Sequence, residues 1–489
     1  MPGLAGPGVP IGGIPVRKTL KFPILAMGGM LAAVLAASSP ASAALSGPAS
    51  SPVAAVAAAK PPPPPPPGAT TFIKALVDSN STNNEAAFGF DSFPTSDGGY
   101  IVTGGIGITP NNGWVGKLSS AGKFQWQEQL GTGDATLLSV QQTSDGGYIL
   151  AGGINSDDAW VVKLGSAGAV QWQKVFPGAG SATASQIEQT SDGGYIVAGN
   201  TTDSSGNEFA WLAKLTSAGA LQWQQQFGSA PFAAALSVQQ TSDGGYITSG
   251  TTGVIGNSSV LVAKFSSAGA VQWQQAYGTG NEDNGNSVQQ TSDGGYVVGG
   301  EIVTQNPDAS RPGEALLLKL TSTGAIQFQD VFNAGISKDQ TSNATSVRQT
   351  PDGGYILAGT DGFTQNSGPT TASWLAKTTA TGALSWQHVF LPATDFSNFT
   401  SVRLTSDGGF VATGTADVDF SDSIWLVRTD TNGNVPSASS SNQLPGTTTE
   451  QAGPLTATTT NFPTTTPANG PSAITDPPVT ANLVIQSIA

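Results

Sequence analysis

Three observations predict an all-β chain folded as a seven-bladed β-propeller of four-stranded antiparallel blades. A DGG motif recurs seven times, its aspartates at Asp97, Asp145, Asp192, Asp243, Asp293, Asp352 and Asp407, 47 to 59 residues apart. Each repeat holds four short runs rich in β-branched and aromatic residues, separated by turn sequences, and each run is too short for a stable helix. Only 10 % of the residues are charged, a composition that suits strands with polar turns better than helices. A four-stranded unit repeating about every 50 residues is the period of a propeller blade.

Taken in order, the chain opens with a predicted secretory leader over residues 1–43. Arg17, Lys18 and Lys21 are its basic segment, Phe22 to Ala37 its apolar core, and ASA at Ala41 to Ala43 a small-residue cleavage site. The apolar run is short for a membrane span and is interrupted by Gly28 and Gly29. A retained N-terminal anchor is the alternative to cleavage. Residues 44–69 form an Ala/Pro-rich linker that includes seven consecutive prolines, Pro61 to Pro67. In a polyproline II helix these make a stiff spacer of about 20 Å. The propeller is assigned to residues 70–436, and residues 437–489 are a Thr/Ser/Pro-rich low-complexity tail.

Within each blade the first strand (SVQQT) leads through the turn SDGG to the second (YIVAG). A variable loop follows, then the third strand (AWVVKL), the turn GSAG and the fourth strand (VQWQKVF). The last repeat ends at Asn434 without a fourth strand, while TFIKAL (Thr71 to Leu76) precedes the first repeat without a blade of its own. The N-terminal segment is therefore expected to complete the last blade and close the ring. The fourth-strand tryptophans (Trp126, Trp172, Trp223, Trp273, Trp386) and the third-strand ones (Trp114, Trp160, Trp211, Trp374, Trp425) are expected in the wedges between blades. A basic residue three places after the third-strand aromatic, from Lys117 to Arg428, is expected to pair with the DGG aspartate of its own blade.

With these residues in view, the chain resembles secreted bacterial and archaeal proteins built from tandem TSDGGYI and W-x-x-K-x-x-x-x-G-x-x-x-W repeats. It is distantly similar to quinoprotein (PQQ-type) propeller repeats, in which a Gly-x-x-x-Trp segment docks neighbouring blades; here the segment is GAVQW, ending at Trp172. The resemblance covers roughly Thr71 to Asn434 and implies the fold. It maps no cofactor site onto this chain.

Composition narrows the function. There is no cysteine and one histidine, His388, so thiolate metal sites, His-rich zinc sites and Cys-His catalysis are excluded. His388 fills a fourth-strand slot held elsewhere by Glu128, Lys174, Gln225, Gln275 and Asp330, which argues against a Ser-His-Asp role. All three methionines lie in the leader. Removing it leaves 15 basic against 32 acidic residues, a balance of about −17, which argues against nucleic acid and anionic membrane surfaces as partners. No later segment is apolar enough to span a bilayer. The second–third loops and the blade-to-blade connections share one face of the disc and vary in length. This acidic face is the expected recognition surface. Two loop clusters there are candidate calcium sites: Asp203 with Glu208, and Asp417 with Asp419 and Asp422. The expectation is a monomeric, extracellular or cell-envelope binding scaffold, its partner a polysaccharide or a surface protein. The alternatives are an extracellular carbohydrate-active enzyme using loop carboxylates, with no particular pair selected, and a structural coat protein.

Overall fold

The computed structural model describes residues 71–76 and 86–435, apart from 108–111, 132–133, 156, 230, 255, 304–312, 334–340, 366–367, 391–395 and 419–420, together with 443–445, 449–451 and 456–458. The predicted leader and linker lie outside the described residues. Seven antiparallel sheets follow one another around an axis, a seven-bladed β-propeller. Blade 2 is representative: Thr136–Gln142, Tyr148–Ile154, Asp158–Leu164 and Val170–Pro177 run from the axis to the rim.

The strands differ because their surroundings differ. Third strands such as Asp158–Leu164 are buried on both faces and read as continuous apolar runs. Fourth strands are only partly buried over most of their length, because one face meets the next blade and the other meets water. The core is correspondingly a set of wedges. Between blades 2 and 3, Ile149, Val161 and Phe176 pack on Ala184, Tyr195 and Trp211.

Docking between blades uses one device repeatedly. Gly219 in the third–fourth turn of blade 3 has φ +78°, and a Cβ there would lie 2.9 Å from Trp172 of blade 2. The pairs Gly168–Trp126 and Gly269–Trp223 repeat the arrangement. Each of these tryptophans also meets the DGGY tyrosine of the next blade, Trp172 and Tyr195 at 5.8 Å between ring centres. Third-strand tryptophans also fill the wedges, Trp211 meeting Phe176 of blade 2 at 5.6 Å between ring centres. Their indole N–H bonds within the blade, as in Trp160, whose Nε1 donates to Gln173 Oε1 at 3.1 Å.

The first–second turn is locked from inside the blade. Asp145 accepts bonds from Thr143 Oγ1 (2.5 Å) and Gly147 N (2.9 Å), and Lys163 Nζ pairs with it at 2.9 Å. The same aspartate–cation pair closes the turn in all seven blades, with Arg428 and Asp407 in the last.

Ring closure is as the sequence predicts. Phe72–Leu76 pairs antiparallel with Ser421–Thr429, from Phe72↔Arg428 to Leu76↔Ile424, and becomes the fourth strand of blade 7. Phe72 also takes the tryptophan's docking place, since a Cβ on Gly122 would lie 2.9 Å from its ring. The tail adds something the sequence reading leaves out. Gln443–Pro445, Thr449–Gln451 and Thr456–Thr458 pair with the outer edges of blades 6, 5 and 4 in turn, each as a fifth strand.

Candidate functional site

On the variable face, the structure puts the two predicted calcium clusters in different blades, 3 and 7. Asp203 caps its own turn: its carboxylate accepts from Ser205 N (2.8 Å), Asn207 N (2.9 Å) and Asn207 Nδ2 (3.0 Å). The bonds from Asn207 hold it below the ordinary carboxylate range. Glu208 begins the next strand, and burial pushes its carboxyl up to about 7. Asp417 and Asp422 face each other across the blade 7 hairpin, and Asp419 lies outside the described residues. Among the described residues no three or more carboxylate or histidine groups come together in a metal-holding arrangement. His388 is half-buried, stacked on Trp386 at 5.0 Å, with Nε2 3.1 Å from Asn432 O in the adjoining blade 7 turn.

A buried acidic pair in blade 5 escapes sequence reading. Asp283 is fully buried and accepts from Thr279 N (2.6 Å) and Val303 N (3.1 Å). Glu301, 7 % exposed, is pushed up to about 8 by burial, with the charges of Asp283 and Glu282 adding to the effect.

The larger feature is on the axis. Every first strand carries a β-bulge at the same place, between Gly89 and Asp91 in blade 1 and between Phe399 and Ser401 in blade 7. A bulge places one extra residue against the partner strand and redirects side chains. Here the extra residues are Phe90, Leu138 and Leu236 in blades 1, 2 and 4. In blades 3, 5, 6 and 7 they are Ser185, Asn286, Thr345 and Thr400. All seven line an axial cavity of about 240 Å³.

The inner strands are sheet edges, and edges expose unpaired backbone groups. Side chains of adjoining blades cap them in three tiers. In the first, Val288 N donates to Ser237 Oγ (3.1 Å) and Val238 N to Gln186 Oε1 (2.8 Å). In the second, Gln189, Gln290 and Gln349 donate their N–H to Gln141, Gln239 and Gln289, each at 2.6 Å. In the third, turn amides such as Ser144 N reach the last glutamine of the following blade, Gln189 Oε1, at 2.7 Å. The letters SVQQ thus write an inter-blade hydrogen-bond network.

Four blades break the second tier. Its glutamine position holds Phe93 in blade 1, Glu188 in blade 3, Arg348 in blade 6 and Arg403 in blade 7. Asp91 replaces the first-tier serine in blade 1; it is buried and pairs with Arg403 Nη2 at 3.0 and 3.2 Å while accepting Ser401 Oγ at 2.6 Å. Arg348 uses Nη1 for Ser287 Oγ (3.0 Å) and Val347 O (2.6 Å). Among the described residues no carboxylate forms an ion pair with it. Burial pushes the Glu188 carboxyl up to about 8, against the opposing pull of Gln240 N–H and Arg403. Its side chain keeps part of its surface exposed, and contact with solvent tempers that push. The signal for this site was present in the sequence as charged residues at a repeat position that is glutamine in blades 2, 4 and 5.

No protein-family model matches the chain, and no curated protein matches it. The solved structures to which it is similar include a protein of unknown function from Bacteroides caccae. That pair is 14 % identical over 59 % of this chain and 93 % of the other, with a TM-score of 0.38. Sqt1 of Chaetomium thermophilum, bound to the N-terminus of the ribosomal protein L10, is 10 % identical over 74 % of this chain and all of that one, at 0.42. MPT-4, a mannose phosphorylase from Leishmania mexicana in complex with phosphate ion, is 8 % identical over 75 % and 92 %, at 0.30. At these values the likenesses carry no functional argument.

Proposed function

We propose that this chain is an extracellular or envelope-associated propeller acting as a binding and scaffold module for a polysaccharide or a surface protein. The observation that supports it most is the division of labour within the repeat. The aspartate–cation pairs, the tryptophan–glycine docking and the Ser/Gln tiers all turn inward and hold the ring together. Blade-specific chemistry is left to the axial cavity and the variable loops, a rigid frame presenting irregular residues. Export rests on the leader motif, the proline spacer and the absence of cysteine.

A thermal-shift panel tests the binding reading on the purified protein, with neutral and acidic polysaccharide fragments and with calcium or chelator. A ligand that binds only the native state raises the melting temperature, by mass action worth about 2.7 kcal/mol at a hundredfold excess over Kd. A glycan-dependent rise is the expected result. An unmoved melting temperature across the panel, with no surface protein retained by the immobilised chain, would remove this reading. Amino-terminal sequencing of the exported protein should begin at Ala44.

The second reading, carbohydrate hydrolysis by loop carboxylates, draws on Glu301. A carboxyl held up to about 8 carries the proton a general acid needs at neutral pH. Turnover of a bound polysaccharide that Glu301→Gln abolishes would replace the binding reading with this one.

A further inference from the structure

The axial cavity is not sevenfold, and its asymmetry describes a ligand. On one side stand three apolar bulge residues, Phe90, Leu138 and Leu236. Blades 6 and 7 supply polar groups opposite. Asn343 and Asn398 line the cavity, and each uses its side-chain oxygen to accept a backbone N–H, from Thr360 at 3.3 Å and Thr415 at 2.8 Å. Their Nδ2 groups therefore remain as donors. From blade 3, the buried Ser185 Oγ lines the same space and has no hydrogen-bond partner within the described structure. Buried hydroxyls are seldom left so.

Charge in the cavity is equally uneven. Arg403 is neutralised by Asp91 through a two-oxygen contact. Among the described residues Arg348 has no such partner, and only its Nη1 is engaged there. The site is thus a local cationic point in a strongly acidic chain. A guanidinium with a free edge is suited to a carboxylate, which it can grip by two parallel hydrogen bonds. A dianionic phosphate would call for a second uncommitted cation, and Arg403 is not one.

The remaining features separate a sugar from a peptide. A peptide terminus is commonly held through backbone pairing, and inner-strand N–H groups of blades 3, 5 and 6 are already capped by the Ser/Gln tiers. A pyranose ring has an apolar C–H face and a rim of hydroxyls. That is the pattern of an apolar wall opposite amide donors. The volume, about 240 Å³, falls below the usual range for drug-sized ligands, about 300–1,000 Å³, so it admits a single ring and not a folded oligomer.

We propose that the axial cavity binds a uronic-acid residue at the end of an acidic polysaccharide. Arg348 takes the carboxylate, the Nδ2 groups of Asn343 and Asn398 take ring hydroxyls, and Phe90, Leu138 and Leu236 cover the C–H face. This deepens the binding-module reading and rests on it.

Isothermal titration of the purified protein tests it with glucuronate, galacturonate and short oligogalacturonates. Glucose, galactose, glucose 6-phosphate and trialanine serve as comparisons. Uronates should bind, and the matched neutral sugars should bind at least about tenfold more weakly, the scale of one charge-assisted hydrogen bond. Arg348→Gln should erase that difference while leaving the melting temperature of the free protein close to the parent's. Ser185→Leu, which fills the cavity from blade 3, should abolish uronate binding independently of any charge. Equal affinity for neutral and acidic sugars, or an unchanged affinity in both variants, overturns the assignment. If polysaccharide still binds in that case, the module reading survives and its site is elsewhere. Preference for the sugar phosphate or the tripeptide also overturns it, by replacing the ligand class. Failure of every glycan together with every protein partner removes both readings at once.

Discussion

Gly219 joins two blades by lacking a methyl group. Its φ of +78° is one that side-chain-bearing residues rarely adopt, and Trp172 occupies the place its Cβ would need. Gly193 has nearly the same φ, +80°, with nothing within 4 Å of that position. Comparing Gly219→Ala with Gly193→Ala therefore separates docking from backbone strain. We expect Gly193→Ala to cost about 1 kcal/mol and Gly219→Ala about 1–3 kcal/mol more, read from chemical denaturation. Equal losses would mean that Trp172 moves aside and does not hold the blades together. Residues of this kind were legible in the sequence because they recur: the DGG aspartates and the third-strand cations announce each other by sevenfold repetition. Arg348 and Glu188 were not. Their position is glutamine in blades 2, 4 and 5 and varies in the others, and no sequence period shows that it faces the axis.

At the level of the strand, the bulge was the part that reading by period could not supply. Alternation assigns one face to each residue in turn, and a bulge interrupts that alternation by a single residue. The register of SVQQ, and hence the channel lining, follows only once the interruption is known. Glu188 offers a test of the second tier. Its carboxyl is pushed up to about 8 from an ordinary 4.5, so between those values the folded chain retains a proton that the unfolded chain has released. The sign follows: stability is full below 4.5, declines as pH rises through 8, and is level beyond. Glu188→Gln restores the tier's usual residue and removes that part of the slope. Its melting temperature should therefore gain on the parent's between pH 5 and pH 8, although Glu301 and Glu208 leave some slope behind. A constant difference across that interval would show that Glu188 ionises freely in the channel. The DGG aspartates do not confuse the result. Although burial opposes it, the Lys163, Thr143 and Gly147 bonds hold Asp145 down to about 2, so its contribution is lost only in acid below pH 4.

For the molecule as a whole, blade count, blade order and closure were all readable, because a missing fourth strand at one end matched a spare strand at the other. The fifth strands were not, since Gln443–Pro445, Thr449–Gln451 and Thr456–Thr458 carry no copy of the repeat's motifs. Removing Phe72–Leu76 deletes five backbone pairs and opens the wedge where Phe72 and Leu426 meet Tyr100 and Trp114. We expect a single cooperative transition lowered by about 10 °C or more, taking the loss as above ~5 kcal/mol and roughly 2 °C per kcal/mol for a domain this large. An unchanged transition would show that the other six interfaces suffice. The same closure has a bearing on time. Phe72 pairs with Arg428, so the strand synthesised first is joined to one of the last, and its partner does not exist until nearly the whole array has been made. Contacts of such sequence separation are slow to form. Until then the nascent molecule is an open stack with a loose leading strand and an unpaired edge in its final blade, the state in which a protein of this design is most exposed to misassembly with its neighbours.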